Sequence, residues 1–166
     1  MTFTIRPATP ADLPAIQVIY AHHVLTGTGT FEIDPPDIAD IAARMAKIAA
    51  RGWPWLVSMD ASHAVNGYAY AGPFRDRAAY DATVEDSIYL APHALGLGIG
   101  RALLIALIDA CKAGGAQQML AIIGDSDNHA SIGLHRALGF EDVGIMRRVG
   151  VKFGSALDVV ILQKRL

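Results

Sequence analysis

The spacing of apolar positions along the chain switches repeatedly between a strand period and a helix period. "FTIRPAT" reads as a short first strand. In "TPADLPAIQVIYAHHVL" a Thr-Pro-x-Asp start signal precedes apolar Leu13, Ile16, Ile19 and Tyr20 at helical spacing. A second helix fits "DIADIAARMAKIAARG", closed by Gly52. "WLVSMD" and "AVNGYAYAG" are β-like runs joined by a polar connection, which predicts a hairpin, and "ATVEDSIYLAP" alternates as a further strand stopped by Pro92. Beyond a glycine-rich loop, Arg101 to Lys112 is predicted as a helix, "QMLAIIG" as a buried strand, "NHASIGLHRAL" as a short helix, and "GFEDVGIMRRVGVKFG" with "ALDVVILQKRL" as two closing strands. The order βααβββαβαββ is an α+β pattern: a central mixed sheet flanked by helices, antiparallel up to its fourth strand, with one obvious βαβ crossover spanning the glycine loop.

Composition narrows the class without changing that picture. At 166 residues, 52% of them hydrophobic and 18% charged, the chain is expected to form one globular domain over residues 1–166. A formal net charge of -2 without a Lys/Arg block leaves no electrostatic footprint for nucleic acid or an anionic membrane, so small molecules are the expected partners. "MTFTIRPAT" has no signal-peptide pattern and no apolar run reaches membrane-spanning length, which makes the cytoplasm the expected location. The single cysteine, Cys111, excludes an intrachain disulfide and reads as a buried helix residue. No Cys/His cluster points to a metal, and Trp53 and Trp55 are assigned to packing.

The chemistry concentrates in "HALGLGIGRALLIALIDACKAGG", where Gly96, Gly98 and Gly100 run directly into an apolar helix. Such a start exposes backbone N–H groups at the positive end of a helix dipole, a setting for an anion and above all a phosphate. No Gly-Lys-Ser/Thr follows, so the nucleoside-triphosphate loop is excluded. The dinucleotide fingerprint fails on spacing, although Asp125 stands where a ribose-binding acid could sit. A plain glycine turn feeding a core helix remains the alternative on this stretch alone.

"VEDSIYLAPHALGLGIGRALL" followed by "DNHASIGLHRALGF" resembles the acyl-CoA-binding core of the GNAT superfamily of N-acetyltransferases. With "IRPATPADLPAI", "YAGPFRDRAAYDATVEDSIYLAP" and "VGVKFGSALDV", nearly the whole chain is similar to the phosphinothricin and methionine sulfoximine acetyltransferase group. The resemblance implies a GNAT fold, acetyl-CoA gripped by the glycine loop after the fourth strand, a small amino-acid-like amine as acceptor, and a homodimer. It has two departures. Leu95 and Gly96 stand where the pattern usually begins with Gln or Arg followed by a basic residue, which Arg101 partly offsets, and Ala156 stands where relatives often carry Trp.

Residue by residue, the resemblance puts the catalytic glutamate at Glu85, and alternation turns neighbouring Asp86 to the opposite face. The cofactor would meet Tyr89, Leu90, Leu95, Gly96, Leu97, Gly98, Ile99, Gly100, Arg101, Asn128 and Ser131, with backbone N–H groups around Tyr89 and Leu90 polarising the thioester carbonyl. Asn128, Ser131 and His135 share a helix face. His135 stands where the wider superfamily often has a tyrosine that protonates the leaving thiolate; donating that proton, organising the site and a core histidine satisfied by backbone all stay open, while Asn128 also reads as a helix cap. His129 falls on another face and is expected in solvent. Arg75 and Arg77 suit bidentate binding of an anionic substrate, with two exposed arginines on a polar loop as the alternative, and Phe31 suits either an apolar substrate wall or core packing, in a Gly/Thr-rich loop with the composition of a movable lid. Two other readings stay open: a related enzyme for a polyamine or a protein N-terminus, which the paired arginines disfavour, and a CoA-binding sensor without catalysis.

Overall fold

The computed structural model describes residues 2–166. Its strands are β1 (Phe3–Pro7), β2 (Trp55–Asp60), β3 (Val65–Pro73), β4 (Thr83–Leu90), β5 (Gln118–Gly124), β6 (Glu141–Lys152) and β7 (Ser155–Arg165); its helices are α1 (Leu13–Thr26), α2 (Ile38–Ala50), α3 (Ile99–Ala113) and α4 (His129–Ala137). This is the expected order, with short 3-10 turns added at Pro10–Asp12, Ala78–Tyr80 and Pro92–Ala94.

Local signals explain the element boundaries. At the entry to α1, Asp12 accepts from the Thr9 N–H at 2.7 Å and from both Arg6 guanidinium nitrogens at 2.7 Å, and that contact pulls its carboxyl down to about 2. Asp37 caps α2 by accepting from the Asp40 N–H at 2.8 Å, and Gly52 leaves the helix at φ 76, in the left-handed region. Helix α3 begins at Ile99 rather than Arg101: Gly98, at φ 78, is its N-cap, and Gly100 lies inside the first turn, buried against Leu90.

The seven strands run in the order β1-β2-β3-β4-β5-β7-β6, and only β4 and β5 pair in parallel. Their pairing stops at Asp86 opposite Ala121, whereas β4 stays with β3 as far as Leu90 and β5 stays with β7 as far as Gly124. The sheet therefore opens into a cleft between the two strands beyond Asp86.

Helices α1 and α2 cover one face of the sheet, carrying Tyr20, Ile41 and Arg44 to Trp55, Tyr68, Tyr70 and Tyr89. Helices α3 and α4 cover the other, where Leu103, Leu104, Leu107 and Cys111 are fully buried. Trp55 stacks on Tyr70 at 4.2 Å, the packing role assigned to it. Among the described residues no helix is long and apolar enough to cross a membrane.

Candidate active site

A cleft of about 450 Å³ occupies the opening between β4 and β5. One wall is Ser87 to Leu90, the other Ala121 to Ile123; Leu95, Gly96, Gly98, Gly100 and Arg101 close one end, and Ser131 and His135 come from α4, with Asn128 from its N-cap. The expected cofactor residues thus converge, with two refinements. Ile99 points into the core at 2% exposure, so only its backbone amide can serve, and the exposed Leu97 side chain stands outside the lining.

The glycine end has the features of an anion cradle. The first N–H groups of α3 have no intrahelical partner, and no side chain caps them. Gly96 and Gly98 are both left-handed, at φ 73 and 78, and the space where their Cβ atoms would stand is open. The fixed partial charge here is positive, and Arg101 beside it is exposed.

Strand register decides which backbone groups face the cleft. The Ala91 N–H donates to the Asn66 carbonyl at 3.0 Å and that of Phe74 to the Thr83 carbonyl at 3.2 Å. In an antiparallel ladder this phase turns the amides of Glu85, Ser87 and Tyr89 toward β3 and those of Ile88 and Leu90 toward the opening. The Tyr89 amide therefore belongs to the sheet, and Ile88 joins Leu90 as a donor for a carbonyl in the cleft. The Leu90 carbonyl, on the same side, lies 2.8 Å from His23 Nε2.

Glu85, Ser87 and Tyr89 project from the α1/α2 face of β4. Ser87 and Tyr89 line the cleft, and Glu85 stands one repeat beyond them, outside its lining. Its carboxyl is pushed up to about 7, first by burial and then by the negative charge of Asp86, with Arg75 pulling the other way. Arg75 is exposed, its guanidinium 5.1 Å from the Phe74 ring centroid; Arg77 is exposed too, and among the described residues neither makes an ion pair.

Two of the expected site residues are engaged elsewhere in the fold. His135, read as a proton donor, is 2% exposed with both ring nitrogens held, Nε2 at 2.9 Å from Asp86 and Nδ1 at 2.7 Å from the Ser131 carbonyl. The Phe31 ring lies against Gly150 of β6, approaches Gly124 and stands outside the lining of this cleft. The loop around it, whose composition suits a movable lid, is tied to distant parts of the chain at Thr28 and Thr30, just before Phe31. Thr28 donates to Asp125 at 2.6 Å and Lys152 donates to the Thr30 carbonyl at 2.8 Å. Asn128 does cap α4, accepting from the Ser131 N–H at 3.2 Å, and its amide also lines the cleft. His129 is exposed as expected.

A polar cluster on the α1/α2 side was not anticipated. Tyr20 donates to Glu32 at 2.9 Å, Arg44 holds the same carboxylate at 2.6 and 3.1 Å, and Lys152 is buried nearby. Its members come from four separate segments, so no local spacing announces it. The one hint is Lys152, a charge at the end of a strand whose neighbours Val151 and Phe153 face solvent. Among the described residues no three His, Cys, Asp or Glu side chains gather as metal ligands.

Comparison with known proteins adds an independent observation. The model of the acetyltransferase (GNAT) family matches residues 18–140. A phosphinothricin N-acetyltransferase from Alcaligenes faecalis is 49% identical over 163 residues, 98% of this chain and 82% of that protein. An L-methionine sulfoximine/L-methionine sulfone acetyltransferase from Pseudomonas aeruginosa is 43% identical, covering 100% of this chain and 96% of that protein. The crystal structure of a GNAT superfamily phosphinothricin acetyltransferase from Sinorhizobium meliloti in complex with AcCoA superposes with a TM-score of 0.97 at 49% identity, over 100% of this chain and 89% of that one.

Proposed function

The chain belongs to the GNAT acetyltransferase family, and from that premise we propose that it transfers an acetyl group from acetyl-CoA to the amino group of a small amino-acid-like substrate of the phosphinothricin or methionine sulfoximine/sulfone type. The observation that carries this reading is Glu85, a carboxyl raised to about 7 beside a cleft whose far end is an uncapped, glycine-lined helix start. A base of that strength is matched to an amine substrate near neutral pH.

The residues present fit the donor. The amides of Gly98 to Arg101 would receive its phosphates, with Leu95, Gly96, Asn128 and Ser131 around it. Acetyl-CoA, when bound, supplies the acetyl group as a thioester. The amides of Ile88 and Leu90 face the side of the cleft where a carbonyl oxygen can be polarised. Glu85 takes the proton that the attacking amine must lose, directly or through water. Direct transfer in a ternary complex is favoured over a covalent enzyme intermediate, because the Cys111 thiol is fully buried and its ionisation is pushed up to about 12. Arg75 and Arg77 have open guanidinium groups for the substrate carboxylate or its second anionic group, with Phe31 and the Tyr20–Glu32–Arg44 cluster shaping the same side.

Thiol release from acetyl-CoA, followed over a panel of phosphinothricin, methionine sulfoximine, methionine sulfone, ordinary amino acids and spermidine, tests the assignment. Turnover is expected for the amino-acid analogues and not for spermidine. Arg75→Ala should raise KM for the anionic substrates by about tenfold, the worth of one lost charged contact. The same variant should move the acidic limb of the pH profile upward, since Arg75 holds the Glu85 carboxyl down. Donor binding without turnover of any amine would instead favour the sensor.

We also propose a homodimer formed through β6. Val143, Ile145, Met146, Val149 and Val151 of this edge strand, with Phe153 just beyond it, expose apolar side chains, Val151 to 71%. An uncovered apolar edge of this kind is avoided in a free monomer. Sedimentation should give a dimer for the native chain and a monomer for Val151→Asp; a native monomer would remove the interface.

A further inference from the structure

Asp86 marks the place where the sheet opens. It is the last residue of β4 paired with β5, and the two walls of the cleft diverge directly beyond it. His135 reaches this apex from α4, and both side chains are 2% exposed, with Nε2 and Oδ2 2.9 Å apart. The ring is held on its far edge by the Ser131 carbonyl and on its side by Phe140, edge-on at 4.9 Å.

The chemistry of these partners fixes the proton. A carbonyl oxygen only accepts, so Nδ1 carries a hydrogen. Nε2 then faces a carboxyl group, and one further proton lies between the two. Burial opposes charge on the ring, but the contact with Asp86 outweighs it and raises the ring above its ordinary range. Of the titratable groups around the pair, Glu85 leaves β4 on the opposite face, and the Cys111 thiol of α3 stays neutral. Both N–H groups of such a ring are committed to acceptors, one to Asp86 Oδ2 and one to the Ser131 carbonyl.

Resting on the acetyltransferase reading, we propose that Asp86 and His135 are positioning residues: a buried imidazolium–carboxylate pin that joins α4 to β4 and fixes the apex from which the cofactor cleft opens. Removing either partner leaves the other buried without its counter-charge, which the fold relieves by shifting α4 or by extending the β4–β5 pairing into the cleft. Either movement narrows or tilts the walls while leaving Glu85 on its strand.

Two measurements test the pin. Nitrogen NMR of histidine-labelled protein without ligand, with the His135 ring assigned through its contact to Phe140, should show both ring nitrogens protonated at about pH 7. A bare nitrogen there overturns the pin whether or not the protein acetylates any amine, so its failure is distinguishable from failure of the functional reading. In steady-state kinetics, Asp86→Asn and His135→Gln should both raise KM for acetyl-CoA by about tenfold while kcat at saturating donor stays within about threefold. A loss of about a hundredfold in kcat for His135→Gln, with loss of the alkaline limb and no matching loss in Asp86→Asn, would make His135 the proton donor and overturn the proposal. If a variant does not fold, the NMR measurement on the native chain still decides.

Discussion

Glu85→Gln should lower kcat by about 10²–10⁴-fold, the usual worth of a general base, with little change in KM for acetyl-CoA. The substitution keeps the shape of the side chain and removes its ability to take a proton. In the native enzyme kcat/KM should rise with pH through about 7, where the buried carboxyl loses its proton, and flatten above. The glutamine variant should have no such limb. A limb that survives at the same pH would assign it to another group and remove Glu85 from the mechanism.

Stability should move in the opposite direction. The folded carboxyl titrates near 7 against an ordinary 4.5, so between those values the folded chain holds a proton that the unfolded chain has released. Stability therefore falls as pH rises through this window, and above it the full cost of a buried ionised carboxylate is present. Glu85→Gln removes that cost and should melt at a higher temperature than the native chain at neutral pH, but not at about pH 4, where both carry a neutral side chain. Lower activity with higher stability in one variant would separate a functional carboxylate from a structural one.

Much of this arrangement was legible in the sequence where it depends on local pattern. The strands Trp55–Asp60 and Gln118–Gly124 have the bounds that their apolar runs predict. Alternation placed Glu85 and Asp86 on opposite faces, and the register agrees, with Asp86 turned toward α4 and Glu85 toward α1 and α2. The glycine loop was legible as a helix start with exposed amides, but not in detail. Three glycines at alternate positions do not say which of them needs a left-handed backbone; Gly96 and Gly98 do, while Gly100 is helical and lets Leu90 approach to 3.4 Å of its missing Cβ.

What local pattern missed depends on long-range contacts. The loop between α1 and α2 has the glycines and threonines of a mobile segment, yet its anchors Asp125 and Lys152 are 97 and 122 residues from the groups they bind. His135 has the helical spacing of a cleft residue, and only the contact with Asp86, 49 residues earlier, shows that its ring is committed. In both cases the contact that holds the group comes from a residue far away in the chain, which no local spacing encodes.

Gly98→Val should raise KM for acetyl-CoA by about tenfold to a hundredfold while kcat at saturating donor changes far less. Nothing lies within 4 Å of the added Cβ, so the cost is not a clash with the protein. It is conformational. At φ 78 a side chain pays roughly 1–2 kcal/mol, more when β-branched, and each ~1.4 kcal/mol is a factor of ten in affinity. The N-cap can relax only by rotating its peptide groups, which turns away the unpartnered amides that begin α3. The open space at Cβ is also space that an approaching phosphate needs. Gly98→Asn separates the two effects, because asparagine tolerates the left-handed region but still places atoms in the cradle. If backbone direction alone matters, the asparagine variant should recover near-native KM and melting temperature. If the cradle must stay empty, it should melt like the native chain and still bind the donor weakly. Native donor affinity in the valine variant would mean that the phosphates are held elsewhere, with the exposed Arg101 the next group to remove.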